Sequence, residues 1–193
     1  DGRDEIVGDY NALGLWAWDD GAWTQLSGLN PVRLVAGDFG VSPGEDLLVD
    51  FGPTGLWLWS GAWAQLSGTP PETIQTANLD GLGGVEAVID FGPAGLWFYS
   101  QGAGWSQASG NSPDLLFSAN LDADAPAELV AGFGPTGLWT WDGGAWAQLT
   151  SVFPEACLLA ALDGAAGREL VCDFGAAGLW AMAGGGWNLL TAT

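Results

Sequence analysis

The chain has 193 residues, of which 23 are acidic against three arginines (Arg3, Arg33, Arg168), with no lysine and no histidine, for a net charge of −20. That balance argues against nucleic acid, whose phosphates need cations, and against anionic membrane surfaces, while the absence of His and Lys removes the usual acid–base and nucleophilic groups. Hydrophobic residues make up 48% of the chain and 13 residues are Trp, enough for a sizeable core; two cysteines cannot build a thiolate metal cluster. No apolar run approaches the ~18 residues of a membrane span. The chain begins with Asp rather than Met, which leads us to expect a segment upstream, consistent with a signal peptide.

Gly-Leu-Trp occurs at residues 14, 55, 95, 137 and 178, so the spacings are 41, 40, 42 and 41. A fixed period near 40 signals propellers, solenoids or arrays. The repeat units run about 1–41, 42–81, 82–123, 124–164 and 165–193 and are read as a single repeat domain. In chain order, each unit predicts four short strands. Strand "a" follows a proline, at Val32–Phe39, Glu72–Leu79, Asp114–Leu121 and Glu155–Leu162. An acidic, Gly-bearing loop leads to strand "b" at Asp4–Tyr10, Asp46–Phe51, Glu86–Phe91, Glu128–Phe133 and Glu169–Phe174. A short turn precedes strand "c", which carries Gly-Leu-Trp, and a tight turn precedes strand "d", centred on Trp23, Trp63, Trp105, Trp146 and Trp187. Such short turns allow only antiparallel neighbours. The expected fold is all-β: a β-propeller of four-stranded blades, five in number, the first lacking its innermost strand. An open β-solenoid and a fragment of a larger propeller are the alternatives.

The a–loop–b segment resembles the FG-GAP or VCBS repeats of integrin-like propellers and related lectins. Residues 1–9 (DGRDEIVGD) look like the second half of such a loop with its strand, residues 119–130 (ANLDADAPAELV) look like a whole one, and the Phe-Gly pairs at 51, 91, 133 and 174 fit the family name. The resemblance implies a propeller with strand a lining the axis, and calcium in intact loops. The Trp-rich c strand leans toward lectin-like members.

Calcium takes six to eight oxygens on a tight loop. The resemblance places side-chain oxygens at loop positions one, three, five and nine. Asn120, Asp122, Asp124 and Glu128 fill all four. The second repeat offers Asp38, Ser42 and Asp46 with a gap at Gly40; the third offers Asn78, Asp80 and Glu86 but has Leu82 where an oxygen is needed. The fifth keeps Asp163 and Glu169, and the first retains Asp1 and Glu5. The competing reading for each is a solvated acidic turn. Asp9, Asp50, Asp90 and Asp173 recur at the end of strand b and are expected to cap the Gly turn that follows.

Recurring Trp residues are read as core. Trp18, Trp59, Tyr99 and Trp141, beside the variable turns, are the candidates for stacking on a sugar ring. The repeated acids are spread round the units rather than gathered in one cleft, so no enzyme is expected. Cys157 on strand a and Cys172 on strand b lie equally far from a hairpin centre between Gly164 and Ala165, so a disulfide is expected, with buried free thiols as the alternative. The function expected is that of a secreted or cell-surface binding and adhesion module, lectin-like, for glycan, matrix or protein, with calcium-stabilised loops. The alternative is a self-assembling extracellular subunit of a filament, sheath or surface layer, its open first unit completed by strand donation from another chain.

Overall fold

A computed structural model describes residues 5–40, 44–122, 124 and 126–191. These residues form an all-β structure of five antiparallel sheets. The first sheet holds β1 (Ile6–Asp9), β2 (Leu15–Asp19) and β3 (Ala22–Ser27). The second holds β4 (Arg33–Gly37), β5 (Asp46–Asp50), β6 (Leu56–Trp59) and β7 (Trp63–Ser67). The third holds β8 (Thr73–Ala77), β9 (Glu86–Asp90), β10 (Leu96–Ser100) and β11 (Gly104–Ser109). The fourth holds β12 (Leu115–Ala119), β13 (Glu128–Gly132), β14 (Leu138–Asp142) and β15 (Ala145–Thr150). The fifth holds β16 (Ala156–Ala160), β17 (Glu169–Asp173), β18 (Leu179–Ala183) and β19 (Gly186–Thr191). Each sheet is an up-and-down meander, and among the described residues the first has three strands, with β1 paired to β2 alone. The a strands are shorter than the sequence suggests, because their last residues turn into the acidic loop.

The Gly-Leu-Trp motif has three separate jobs. Its Gly follows a one-turn 3₁₀ segment such as Gly52–Thr54 or Gly92–Ala94, and the five copies take φ between 80° and 90°. At Gly95 a Cβ would fall on the carbonyl oxygen of Ser109, so both conformation and space demand glycine. The Leu is fully buried in the first four sheets. The Trp is half-buried, and its indole N–H donates back to the 3₁₀ turn: Trp16 to Leu13, Trp57 to Thr54, Trp97 to Ala94, Trp139 to Thr136 and Trp180 to Ala177, at 2.7–3.1 Å. Gln25, Gln65, Gln107 and Gln148 from the last strand of the first four sheets reach the same carbonyls. The front of the turn is closed by the recurring aspartates: Asp9, Asp50, Asp90 and Asp173 accept the N–H two residues on, at 2.8–2.9 Å. Gly132 replaces the Asp in the fourth sheet, and there the ring of Phe153 lies 2.7 Å from where a Cβ would sit.

The sheets pack face to face in chain order. Four apolar clusters join the first sheet to the second, the second to the third, the third to the fourth and the fourth to the fifth. One hydrogen bond repeats at three of these four seams. In all five sheets the last two strands shift register at the same place, between the Leu and the Trp of the motif. The skipped residue is Leu26, Leu66, Ala108, Leu149 or Leu190. A bulged residue is left out of its ladder, so its carbonyl can face the next sheet. Trp63 donates its indole N–H to Leu26, Trp146 to Ala108 and Trp187 to Leu149, at 2.8–3.0 Å. Each of these Trp also meets the Phe that ends strand b edge-on, as in Phe51–Trp63 and Phe174–Trp187, both at 5.4 Å. Nearer the acidic loops the backbone joins the seams: Val85 donates to Asp38, Ala127 to Asn78 and Arg168 to Asn120, at 2.7–2.8 Å.

Cys157 and Cys172 lie directly opposite each other on β16 and β17, with Cα atoms 4.2 Å apart, and form a disulfide. Among the described residues no helix is long and apolar enough to cross a membrane.

Two predictions follow from this packing. Gly95→Ala should cost about 3 kcal/mol or more of unfolding free energy, since it imposes both a forbidden backbone region and a clash with backbone; urea denaturation measures it, with Ala94→Gly as the mild control. Reducing the disulfide releases a sequence separation of 15 and should lower stability by about 3 kcal/mol on the chain-entropy estimate, read as a drop in the urea midpoint when reductant is added.

Candidate functional site

The acidic loop between the first two strands of a sheet has a common brace. The carboxylate that opens strand b reaches back seven residues to a backbone N–H: Glu86 accepts from Leu79, Glu128 from Leu121 and Glu169 from Leu162, at 2.6–2.8 Å. Asp38, Asp80, Asp122 and Asp163 each accept the N–H two residues further on, at 2.8–3.1 Å. Asn78 and Asn120 donate their amide groups across the loop to the carbonyls of Leu82 and Asp124. Much of the acidic pattern therefore holds the loop's own backbone, a role that the sequence did not reveal for the strand-b carboxylate.

The fourth loop goes further. Asp122, Asp124 and Glu128 each present a carboxylate oxygen within 4.8 Å of the others, forming a group that could hold a metal ion. Asn120 borders this group but turns its amide N–H₂ to the Asp124 carbonyl at 2.6 Å. Glu128 is only 4% exposed. Its Oε2 holds the Leu121 N–H, while its Oε1 is buried with no hydrogen-bond partner among the described residues. Burial, reinforced by the neighbouring Asp122, pushes the Glu128 carboxyl above its ordinary range. The Asp124 N–H is the main cause holding Asp122 below its own. Asp124 is raised, by desolvation first and then by the Asp122 charge. A proton entering the pair therefore goes to Glu128. A divalent cation fits this donor set: it is all hard oxygen, it carries excess negative charge, and it includes one buried oxygen whose lone pairs accept no hydrogen bond among the described residues.

The second loop is less complete. Asp46 is buried and its Oδ2 has no partner among the described residues, while Asp38 is braced on Gly40. No third carboxylate joins them among the described residues, and Ser42 lies outside those residues. In the third loop the exposed Leu82 stands where the fourth has Asp124. Asp1 lies outside the described residues, and Glu5 is exposed.

The aromatic candidates are placed differently from a free rim. Trp18, Trp59, Tyr99 and Trp141 are half-buried. Trp59, Tyr99 and Trp141 lie 5.0–5.4 Å from Trp63, Trp105 and Trp146 respectively, within the seams between sheets. Burial raises the Tyr99 hydroxyl pKa. A groove opens instead at the seam of the second and third sheets, about 250 Å³ in volume and lined by Leu66, Ser67, Thr69, Phe91, Trp97 and Trp105. Trp97 and Trp105 meet there at 82°, 6.4 Å between centroids. Sequence reasoning placed both in the core because they recur in every repeat. Recurrence is equally what a groove repeated at each seam would produce.

No protein-family model matches this chain, and no curated protein matches it.

Glu128→Gln tests the orphaned oxygen. The amide keeps an acceptor for Leu121 and offers a donor toward Asp122. In chelator the variant should be more stable than the parent by about 1–2 kcal/mol, and the stabilisation that a divalent cation gives the parent should be lost. The sign follows from the raised pKa: ionised Glu128 is a cost to the folded state above its folded pKa, and protonation at lower pH relieves it. Thermal melts of both proteins, with and without calcium, measure the two effects.

Proposed function

We infer that this chain is a secreted, non-enzymatic β-propeller module that binds glycans in grooves between its blades, with calcium bracing the fourth loop. The propeller reading rests on five like meanders stacked face to face, with β8 against both β4 and β12, and on the FG-GAP/VCBS-type resemblance. The secreted reading rests on the disulfide, which persists in oxidising compartments. Non-enzymatic function is supported by a sequence without His or Lys and by carboxylates engaged in bracing turns.

The observation that carries glycan binding is the Trp97–Trp105 groove. An indole face stacks on the apolar face of a sugar ring while a hydroxyl among the lining residues, here that of Thr69, meets its polar edge. Calcium is the ion favoured for the Asp122, Asp124 and Glu128 group because it accepts many carboxylate and carbonyl oxygens in flexible geometry.

A glycan array run with and without calcium tests the reading. Binding to at least one sugar class should appear. Ala94→Trp, on the exposed turn beside the groove, should weaken it about tenfold without lowering the melting temperature. Absence of binding to every sugar class would overturn the glycan assignment.

A further inference from the structure

A cleft of about 430 Å³ opens at the seam of the third and fourth sheets, at the end that carries the acidic loops. Its walls include Phe98 of β10 and Trp141 of β14, which meet edge-on at 5.4 Å. Asp80 and Glu86 of the third acidic loop line it with them, as do Ser100 and Ser106, and no arginine does. Each carboxylate has one oxygen engaged: Asp80 Oδ1 accepts from the Leu82 N–H and Glu86 Oε2 from the Leu79 N–H, both at 2.8 Å. The second oxygen of each accepts no hydrogen bond among the described residues. The equivalent place at the next seam is built differently. There Asp122, Asp124 and Glu128 crowd together, and Thr140 and Met182 hold the repeat positions of Phe98 and Trp141. With Leu82 in place of Asp124, the third loop is one carboxylate short of that group and offers a divalent ion fewer of the oxygens it needs. Two carboxylates beside aromatic walls suit an organic cation instead, whose charge meets the acids while its carbon lies along the rings.

We propose that this cleft between Phe98, Trp141, Asp80 and Glu86 docks a lysine side chain of a basic partner polypeptide. The donor count selects lysine over arginine. An ammonium carries three N–H donors: one goes to the free oxygen of Asp80, one to that of Glu86 and one to a seryl hydroxyl. A guanidinium is held best by both oxygens of one carboxylate, and here each carboxylate has one oxygen committed to the backbone. The four-carbon lysine stem fills the apolar part of the cleft, along Phe98 and Trp141. Charge argues for a polypeptide as its bearer. The 193 residues carry a net charge of −20 and contain no lysine, so their field draws in basic chains. The exposed Asp142, next to Trp141 in sequence, meets a further cation of such a chain beside the cleft. The inference depends neither on the glycan reading nor on calcium in the fourth loop.

Fluorescence anisotropy of a labelled oligolysine peptide, at physiological ionic strength, tests it. The peptide should bind saturably, and an oligoarginine of equal length should bind about tenfold less tightly. Asp80→Asn with Glu86→Gln removes two charges while each amide oxygen still accepts its backbone N–H, so the fold is kept and affinity should fall about tenfold or more. Glu45→Gln with Asp163→Asn removes the same charge from the second and fifth loops and should cost less than about twofold. Ser106→Trp, at an exposed position of β11, fills the cleft with no change of charge and should weaken binding as much as the Asp80 and Glu86 pair does. Thermal melts check that each variant folds like the parent. Absence of saturable oligolysine binding overturns the proposal. Equal losses from the two charge pairs overturn it too, because the attraction then belongs to the acidic surface as a whole. So does full binding by Ser106→Trp, and so does an oligoarginine that binds as tightly as oligolysine. Free spermidine that binds as tightly as the peptide makes the occupant a polyamine and overturns the assignment to a partner polypeptide.

Discussion

The structure depends on sheets that are apolar on both faces. A meander of strands about five residues long does not stand alone, and here neither face of the second, third or fourth sheet could meet water without exposing a row of Leu, Val and Ile. Each sheet is therefore stable only between neighbours, as in other repeat architectures. The seam between sheets solves a second problem as well. Packing two apolar faces fixes no register, since the hydrophobic effect is not directional. The strand-d Trp supplies direction, with its ring edge on a Phe and its N–H on a carbonyl that the preceding sheet's bulge has freed. The bulge is thus coupled to the seam at Leu26, Ala108 and Leu149, and it recurs in all five sheets.

Much of this was legible in the sequence. The period, the four strands of a unit and the antiparallel pairing came from the Gly-Leu-Trp spacing and from turn residues. The pairing of Cys157 with Cys172 came from counting outward from a hairpin centre. The recurring aspartates ahead of a Gly turn read correctly as caps, because side-chain capping is local and local rules are visible in sequence. What was hidden is whatever depends on a neighbouring sheet. Nothing in the sequence separates Trp97, whose indole pins its own turn and borders a groove, from Trp105, which crosses a seam. The aromatic two residues after the motif Trp on strand c was assigned to the rim, yet Trp59, Tyr99 and Trp141 lie inside the seams. Gly132 was an unexplained exception until the Phe153 ring was seen in its place.

The acidic loops show how one residue type serves both folding and a candidate site. Glu86, Glu128 and Glu169 make the same brace, so a carboxylate there is explained without any ligand. What sets the fourth loop apart is Asp124, where its relatives carry Leu82 and Ala165. That one side chain completes a group of three crowded carboxylates, and in it Glu128 Oε1 is buried and, among the described residues, unpartnered. A buried acceptor left unmet costs about 1–3 kcal/mol. The rest of the chain tolerates this cost because the loop is anchored at both ends, by the Glu128 brace and by the bond from Arg168 to Asn120. The sequence could rank this loop first among the five but could not show the unpartnered Glu128 oxygen, which exists only once Glu128 is folded beneath its own loop.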